Sequence, residues 1–276
     1  MAIITPYRSP IRIGSQPLPG NLSANLLAMY GMGEGGGTNL MDSFGYQSGT
    51  YMGSTPKWNG NGFVPSIAMN GTDNYLNCGS GLPYQANIAN RSGFSMCCWV
   101  YPTSLVNGYN SVAALQSGGN YVWEVFYESS GALSVYCYIG GVIDPASTPY
   151  VTANAWHHIA LTVGQRNGLL LILNGKVVGT VGYGSIGLIN QPTYSLFFGG
   201  NNAYPSRWMS GQLGPCAIWE RELGVEEVQD LYRMPELLYL SPTRILSGAA
   251  AAAASHYIQS SWEGGFNKQL VGGLYG

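Results

Sequence analysis

Charge is what this sequence has least of. Only 9% of its 276 residues are Asp, Glu, Lys or Arg, against roughly 25% in an ordinary globular domain. The formal net charge is −2 and there is no block of Lys and Arg. That argues against a nucleic-acid partner, because phosphate contact needs clustered positive charge. No run of about 18 apolar residues occurs, so no membrane span is expected. The opening MAIITPYRSPIRIGSQPLPG has no basic segment followed by an apolar run, so a secretory leader is not expected. No CxxC pair is present. The five cysteines, Cys78, Cys97, Cys98, Cys137 and Cys216, are odd in number, two are adjacent, and all lie in apolar stretches. They read as buried free thiols acting as small hydrophobes, which fits folding in a reducing cytoplasm. No cofactor is expected.

What is abundant is glycine, tyrosine and apolar bulk: 40 Gly, 20 Tyr and 46% hydrophobic residues. Gly-rich turns between aromatic and β-branched runs point to many short strands. The length suits one large β-sandwich with arms. Low charge beside many aromatics suggests that part of the exterior is covered in an assembly, since interface cores are depleted of charge. The alternative is a surface of Gly, Ser, Asn and Tyr with no partner.

Along the chain, residues 1–24 carry Pro6, Pro10, Pro17 and Pro19 and are expected to form an extended arm. Strand-like runs follow from Leu26–Tyr30 onwards. Asn70-Gly71, between Ser66–Met69 and Asn74–Cys78, carries a hairpin-type signal. Phe94–Tyr101 is apolar on both faces, as a central strand would be. In Trp156–Val163, His157, Ile159, Leu161 and Val163 share one face, and Trp156, His158, Ala160 and Thr162 the other. Asn174-Gly175 is the strongest hairpin signal of the chain. One helix is expected over about Val225–Arg233, with Val225, Val228, Leu231 and Tyr232 inward, Glu226, Glu227 and Asp230 outward, and Pro235 as its stop. Residues 237–276 form a second arm, with Tyr257, Trp262, Phe266 and Tyr275 spaced by small residues. Four aromatics suit packing on a partner better than solvation.

Several segments together resemble laminin G-like, concanavalin A-like domains. They are NLLAMYGMGEGGGTNLMDSFGYQSGTYMG, IAMNGTDNYLNCG, FSMCCWVYP, WHHIALTV followed by LLLILNGKVVGTV, and FFGGNNAYPSRWMSGQLGPCAIWERELGVEEVQDLY. The resemblance covers residues 25–236. It implies an all-β, two-sheet antiparallel jelly-roll sandwich. Members of that family bind glycans, proteins or calcium, and some relatives hydrolyse glycans, so the sites must be weighed one by one.

Related glucanases carry Glu-x-Asp-x-Glu, two acids with a central Asp. Here Glu124-Val125-Phe126-Tyr127-Glu128 keeps the outer acids but has Phe126 in the middle, and Glu124 and Glu128 are expected to be two exposed strand acids. No Gly-x-Ser-x-Gly elbow occurs, and no Cys has an evident base partner. The chain is therefore expected not to be an enzyme. For calcium, the resemblance points to Asp73 and Asn74 as weak candidates, but the companion loop at 199–208 has amides and no carboxylate, too few charged oxygens for tight binding. The favoured ligand-binding candidates are Asn201, Asn202, Tyr204, Arg207 and Trp208 in that loop. Aromatic faces beside planar amides suit a shallow sugar or protein site, although Trp208 reads equally well as a core plug.

LYRMPELLYLSPTR resembles the helix exit of laminin G-like domains in virion proteins of tailed bacteriophages. The resemblance implies a structural virion protein assembled in the bacterial cytoplasm, decorating or cementing the capsid as a homo-oligomer in contact with other capsid or tail subunits. The second reading is a tail- or fibre-associated adhesin for host surface glycan, and the third a glycan hydrolase.

Overall fold

The computed structural model describes residues 12–13, 16–17, 22, 24–43, 47–80, 93–105, 107–118, 120–137, 141–143, 150–182, 194–200 and 202–238. In chain order the strands are β1 (Arg12–Ile13), β2 (Gln16–Pro17), β3 (Leu26–Tyr30), β4 (Asn39–Leu40), β5 (Gly49–Met52), β6 (Trp58–Asn59), β7 (Ser66–Asn70), β8 (Tyr75–Asn77) and β9 (Gly93–Pro102). They continue as β10 (Tyr109–Ser117), β11 (Asn120–Glu128), β12 (Leu133–Cys137), β13 (Gly141–Ile143), β14 (His157–Gly164), β15 (Gly168–Leu173), β16 (Lys176–Val181), β17 (Ser195–Phe198) and β18 (Ser210–Trp219). The helix α1 spans Val225–Arg233 and a 3-10 turn spans Pro235–Leu238. The tail aromatics and His256 lie outside the described residues.

Two antiparallel sheets face each other. The first runs β13-β12-β11-β10-β17-β8-β5-β4, and the second runs β16-β15-β14-β9-β18-β7-β6 with β3 also paired to β18. Alternation along the strands feeds one core between them. Phe94, Met96, Cys98 and Val100 of β9, Ile159, Leu161 and Val163 of β14, and Trp123, Val125 and Tyr127 of β11 all point into it. Phe94 stacks on Trp123 across the gap, with ring centres 5.5 Å apart, the interdigitation that closes a sandwich. The sequence motifs therefore form the two-sheet jelly roll with one short helix.

The second sheet is apolar on its outer face too, because a further layer covers it. Cys97, Trp99, Ala160, Ile172, Ala217 and Trp219 pack there with Leu22, Leu223, Val228, Leu231, Leu237 and Leu238. This is why β9 shows no polar face. Arg221 ties the layer together. Its guanidinium forks onto Glu227 at 2.8 and 2.7 Å and its Nε donates to the Ala24 carbonyl at 2.9 Å. Glu227 also accepts the Gly224 N–H at 2.9 Å, capping α1. Asp230, expected to point outward, is instead buried, at the end of the helix where Leu231 and Met234 pack onto the layer.

Two turn signals have different fates. Asn174 and Gly175 both have positive φ, 51° and 73°, and join β15 to β16 as the tight hairpin their types favour. Asn70-Gly71 does not make a hairpin. β7 pairs with β18 and β6 in the second sheet, and β8 pairs with β17 and β5 in the first, so this turn arches between sheets. Asn70 Oδ1 holds it by accepting the N–H groups of Thr72, Asp73 and Asn74 at 2.9, 3.1 and 3.3 Å. Such an Asx turn reverses the chain whichever sheet receives it.

Candidate ligand-binding face

With Trp123, Val125 and Tyr127 committed to the core, their neighbours Glu124 and Phe126 face outward from the first sheet. A register break between Leu115 and Gln116 sets Tyr121 opposite Gln116. Across the ladder, Phe126 lies opposite Ser111 and Ser134, and Glu124 opposite Ala114 and Tyr136. The loop between β17 and β18 folds over this face.

That loop is fixed at several points. Met209 N–H donates to the Gly199 carbonyl at 3.0 Å, Asn107 Nδ2 to the Trp208 carbonyl at 2.7 Å and Gln116 Nε2 to Asn202 Oδ1 at 2.9 Å. A Cβ on Gly200 would lie 2.3 Å from Trp208 Cδ1, so only glycine admits the indole there. A 3-10 turn at Pro205–Arg207 then aims Arg207 down at the sheet.

Arg207 Nη1 forms a hydrogen-bonded ion pair with Glu124 Oε2. The carboxylate is fully buried, while the arginine side chain retains 23% exposure. Around the guanidinium stand three tyrosines, with ring centres 4.9 Å (Tyr109), 4.9 Å (Tyr204) and 5.7 Å (Tyr121) from Cζ. Tyr204 also stacks on Tyr121 at 5.7 Å and 15°. Cation–π attraction and the ion pair thus lock one loop residue into an aromatic cage. Burial pushes the Glu124 carboxyl above its ordinary pKa, while the charge of Arg207 and the Ser111 and Tyr121 hydroxyls pull it back.

The structure corrects one expectation about these residues and places all the others but one. Glu124 is not an exposed strand acid but a buried one, because the loop covers it. Glu128 is only partly buried, at the far end of β11 opposite Tyr109. Phe126, 1% exposed, packs edge-on to Tyr109 at 5.2 Å. Asn202 and Tyr204 are exposed and Arg207 and Trp208 half-buried, whereas Asn201 lies outside the described residues. Tyr109, Tyr121, Gln116 and Asn107 complete the face and were not foreseen. The period-two alternation of β11 is the signal that puts Glu124 and Phe126 on one side.

The other chemical candidates are engaged elsewhere. Asp73 accepts hydrogen bonds from Asn70 and from Ser54 Oγ, which hold its carboxyl below the usual range. Asn74 Nδ2 reaches the Ser54 carbonyl at 3.5 Å. Asn70 pairs with Ser210, so this arch sits beside the end of the loop, yet among the described residues no three His, Cys, Asp or Glu converge. His157 is tied to Thr152 through Nε2 and to Asn174 through Nδ1. His158 is fully buried, tilted against Trp99 at 5.2 Å and Tyr232 at 6.3 Å, which stack on each other. Cys78, Cys97, Cys98 and Cys216 are unpaired and buried. Burial pushes the Cys78 thiol up to about 12 and raises those of Cys97 and Cys216.

Fold and motifs together define a class, the lectin-like antiparallel jelly rolls. A profile of the concanavalin A-like lectin/glucanases superfamily matches residues 70–229, more than half of the chain, and the chain belongs to that superfamily. No curated protein matches it in sequence. Among solved structures, the sialidase of Trypanosoma rangeli in complex with the inhibitor DANA superposes with a TM-score of 0.64 at 14% identity, over 83% of this chain and 36% of the sialidase. The chain thus spans about a third of that enzyme's length. Domain 4 of AbnA, an extracellular arabinanase from Geobacillus stearothermophilus, in complex with arabinotriose, gives 0.58 at 18% identity over 76% of this chain and 98% of the domain. The binding domain of botulinum neurotoxin DC in complex with rat synaptotagmin II gives 0.56 at 14% identity over 76% and 51%. At these identities the likeness is one of fold.

Proposed function

We propose that the chain is a non-catalytic recognition module whose first sheet presents a glycan-binding face. The observation that carries this reading is the Arg207–Glu124 lock. The one fully buried acid of the Glu-x-Phe-x-Glu strand is held by a permanent cation, and a hydrophobic ring separates it from Glu128, so neither a free nucleophile nor a matched acid is on offer. The exposed Tyr204 and Tyr109 and the amide of Asn202 supply stacking and hydrogen bonding instead. The arabinotriose complex of the arabinanase domain is in keeping with such a role.

The biological setting is a structural protein of a tailed-phage virion, decorating or cementing the capsid with the jelly roll outward. The LYRMPELLYLSPTR resemblance and the charge-poor, aromatic-rich composition support it. A tail- or fibre-borne adhesin for host glycan is the second reading, favoured by the same tyrosine rim. The test is a panel of neutral and acidic polysaccharides scored for both binding and turnover. Binding without release of reducing ends is expected, and turnover that disappears in Glu124→Gln would refute the reading. Gold-labelled antibody should mark the capsid shell of the source particle, whereas tail-only labelling selects the adhesin.

A further inference from the structure

The cationic centre of the tyrosine rim carries no net charge. Arg207 sits between the exposed rings of Tyr109 and Tyr204, but the Glu124 carboxylate bonds it from below. The next acid along the same face of β11, Glu128, lies opposite Tyr109. A ligand arriving there meets aromatic faces, guanidinium N–H donors and the Asn202 amide, with the positive charge already compensated.

We infer that Glu124 is a specificity-determining residue that makes this face select neutral glycans over acidic ones. The inference rests on the glycan-binding reading above and sharpens it to a ligand class. A sugar carboxylate or sulfate reaching Arg207 would have to share the guanidinium with Glu124, placing two like charges on one cation. Sugar hydroxyls, in contrast, accept from the guanidinium and leave the ion pair intact, while the pyranose face stacks on tyrosine. Discrimination of this kind works through the wrong ligand's repulsion rather than the right ligand's attraction. Glu124→Gln keeps the shape and an acceptor for Arg207 but uncovers its charge.

The experiment uses the full chain and an array of paired glycans, each neutral oligosaccharide beside its sialylated or uronic-acid-bearing counterpart. Wild type is expected to bind neutral members, with acidic counterparts weaker by about tenfold or more. Glu124→Gln, checked for a cooperative melt, should gain about tenfold or more on acidic members, and that gain should disappear at about 1 M salt. Acidic preference in wild type, or an unchanged preference in a folded Glu124→Gln, overturns the inference and leaves the glycan reading standing. Wild type binding no member of any pair overturns both. Should Glu124→Gln fail to fold, the wild-type preference across the pairs decides alone, backed by its salt dependence: neutral binding insensitive to salt supports the inference, and salt-sensitive acidic binding refutes it.

Discussion

The two outer faces of this sandwich bury an ionisable side chain in opposite ways. On the second sheet, His158 lies under α1 against Trp99 and Tyr232, with neither ring nitrogen hydrogen-bonded, and burial drives its pKa from 6.5 to about 3. It stays neutral and behaves as one more flat ring in an apolar layer. On the first sheet, Glu124 is buried as deeply but beside Arg207, and the cover over it is a glycine-hinged loop rather than a helix. A buried group either gives up its charge or brings a partner. The helix-covered face took the first course and became structure. The loop-covered face took the second and keeps polar, exposed chemistry at its rim.

Removing the partner should expose the contrast most strongly. Arg207→Ala leaves the buried Glu124 without its cation, and a loss of about 3–5 kcal/mol is expected in denaturant unfolding. Because burial raises this carboxyl, the deficit should shrink as pH falls and the group protonates. Replacing Glu124 and Arg207 together by apolar residues should recover most of it. A cost below about 1 kcal/mol would show the lock to be loose.

On the other face the seal is apolar. Leu231→Ala opens a cavity beneath α1, where Leu231 is 1% exposed, and should cost roughly 3 kcal/mol at any pH near neutrality. The rim tyrosines, and the proposed glycan binding with them, should be unaffected, since the cavity lies on the opposite sheet.

His158 gives a smaller effect confined to acid. The unfolded chain takes up its proton near 6.5 while the folded chain resists until about 3, so the unfolded state holds more protons in between and stability falls as pH drops through that window. His158→Phe should flatten this limb, leaving the variant ahead of wild type by roughly 2–3 kcal/mol at about pH 4 relative to their difference at about pH 7. Glu227 and Asp73 titrate in the same direction in both proteins and cancel in the comparison. Parallel pH profiles would mean that the histidine is hydrated in solution.

The smallest expected effect is that of chelation. With the Asp73 carboxylate engaged by Asn70 and Ser54, millimolar EDTA should move the melting temperature by less than about 1 °C. A drop of several degrees, reversed by calcium, would show that backbone carbonyls complete a site at the arch.

Much of the fold was legible in the residues. Alternation in Trp156–Val163 assigned each side chain to its face, Asn174-Gly175 marked its hairpin because both positions need positive φ, and the α1 pattern with Pro235 behind it bounded the helix. Phe94–Tyr101, apolar on both sides, read as a central strand, and the layer that covers the outside of its sheet came from the structure. The site was legible only in part. Asn202, Tyr204 and Arg207 could be chosen from loop composition, but their partners Gln116, Tyr121 and Tyr109 sit in distant strands.

Local chemistry therefore determined which face each strand residue takes and where the chain turns, since both follow from backbone geometry over a few residues. Only the tertiary structure decided what lies on top of each face. Asn70-Gly71 turns the chain equally well within a sheet or between two, and the strand pairing beyond it chose the arch. Glu124 points outward by alternation alone, and outward ordinarily means solvated. It became a buried ion-pair partner because a loop 83 residues away crosses its strand, and no pattern along one strand encodes the register and closure of another.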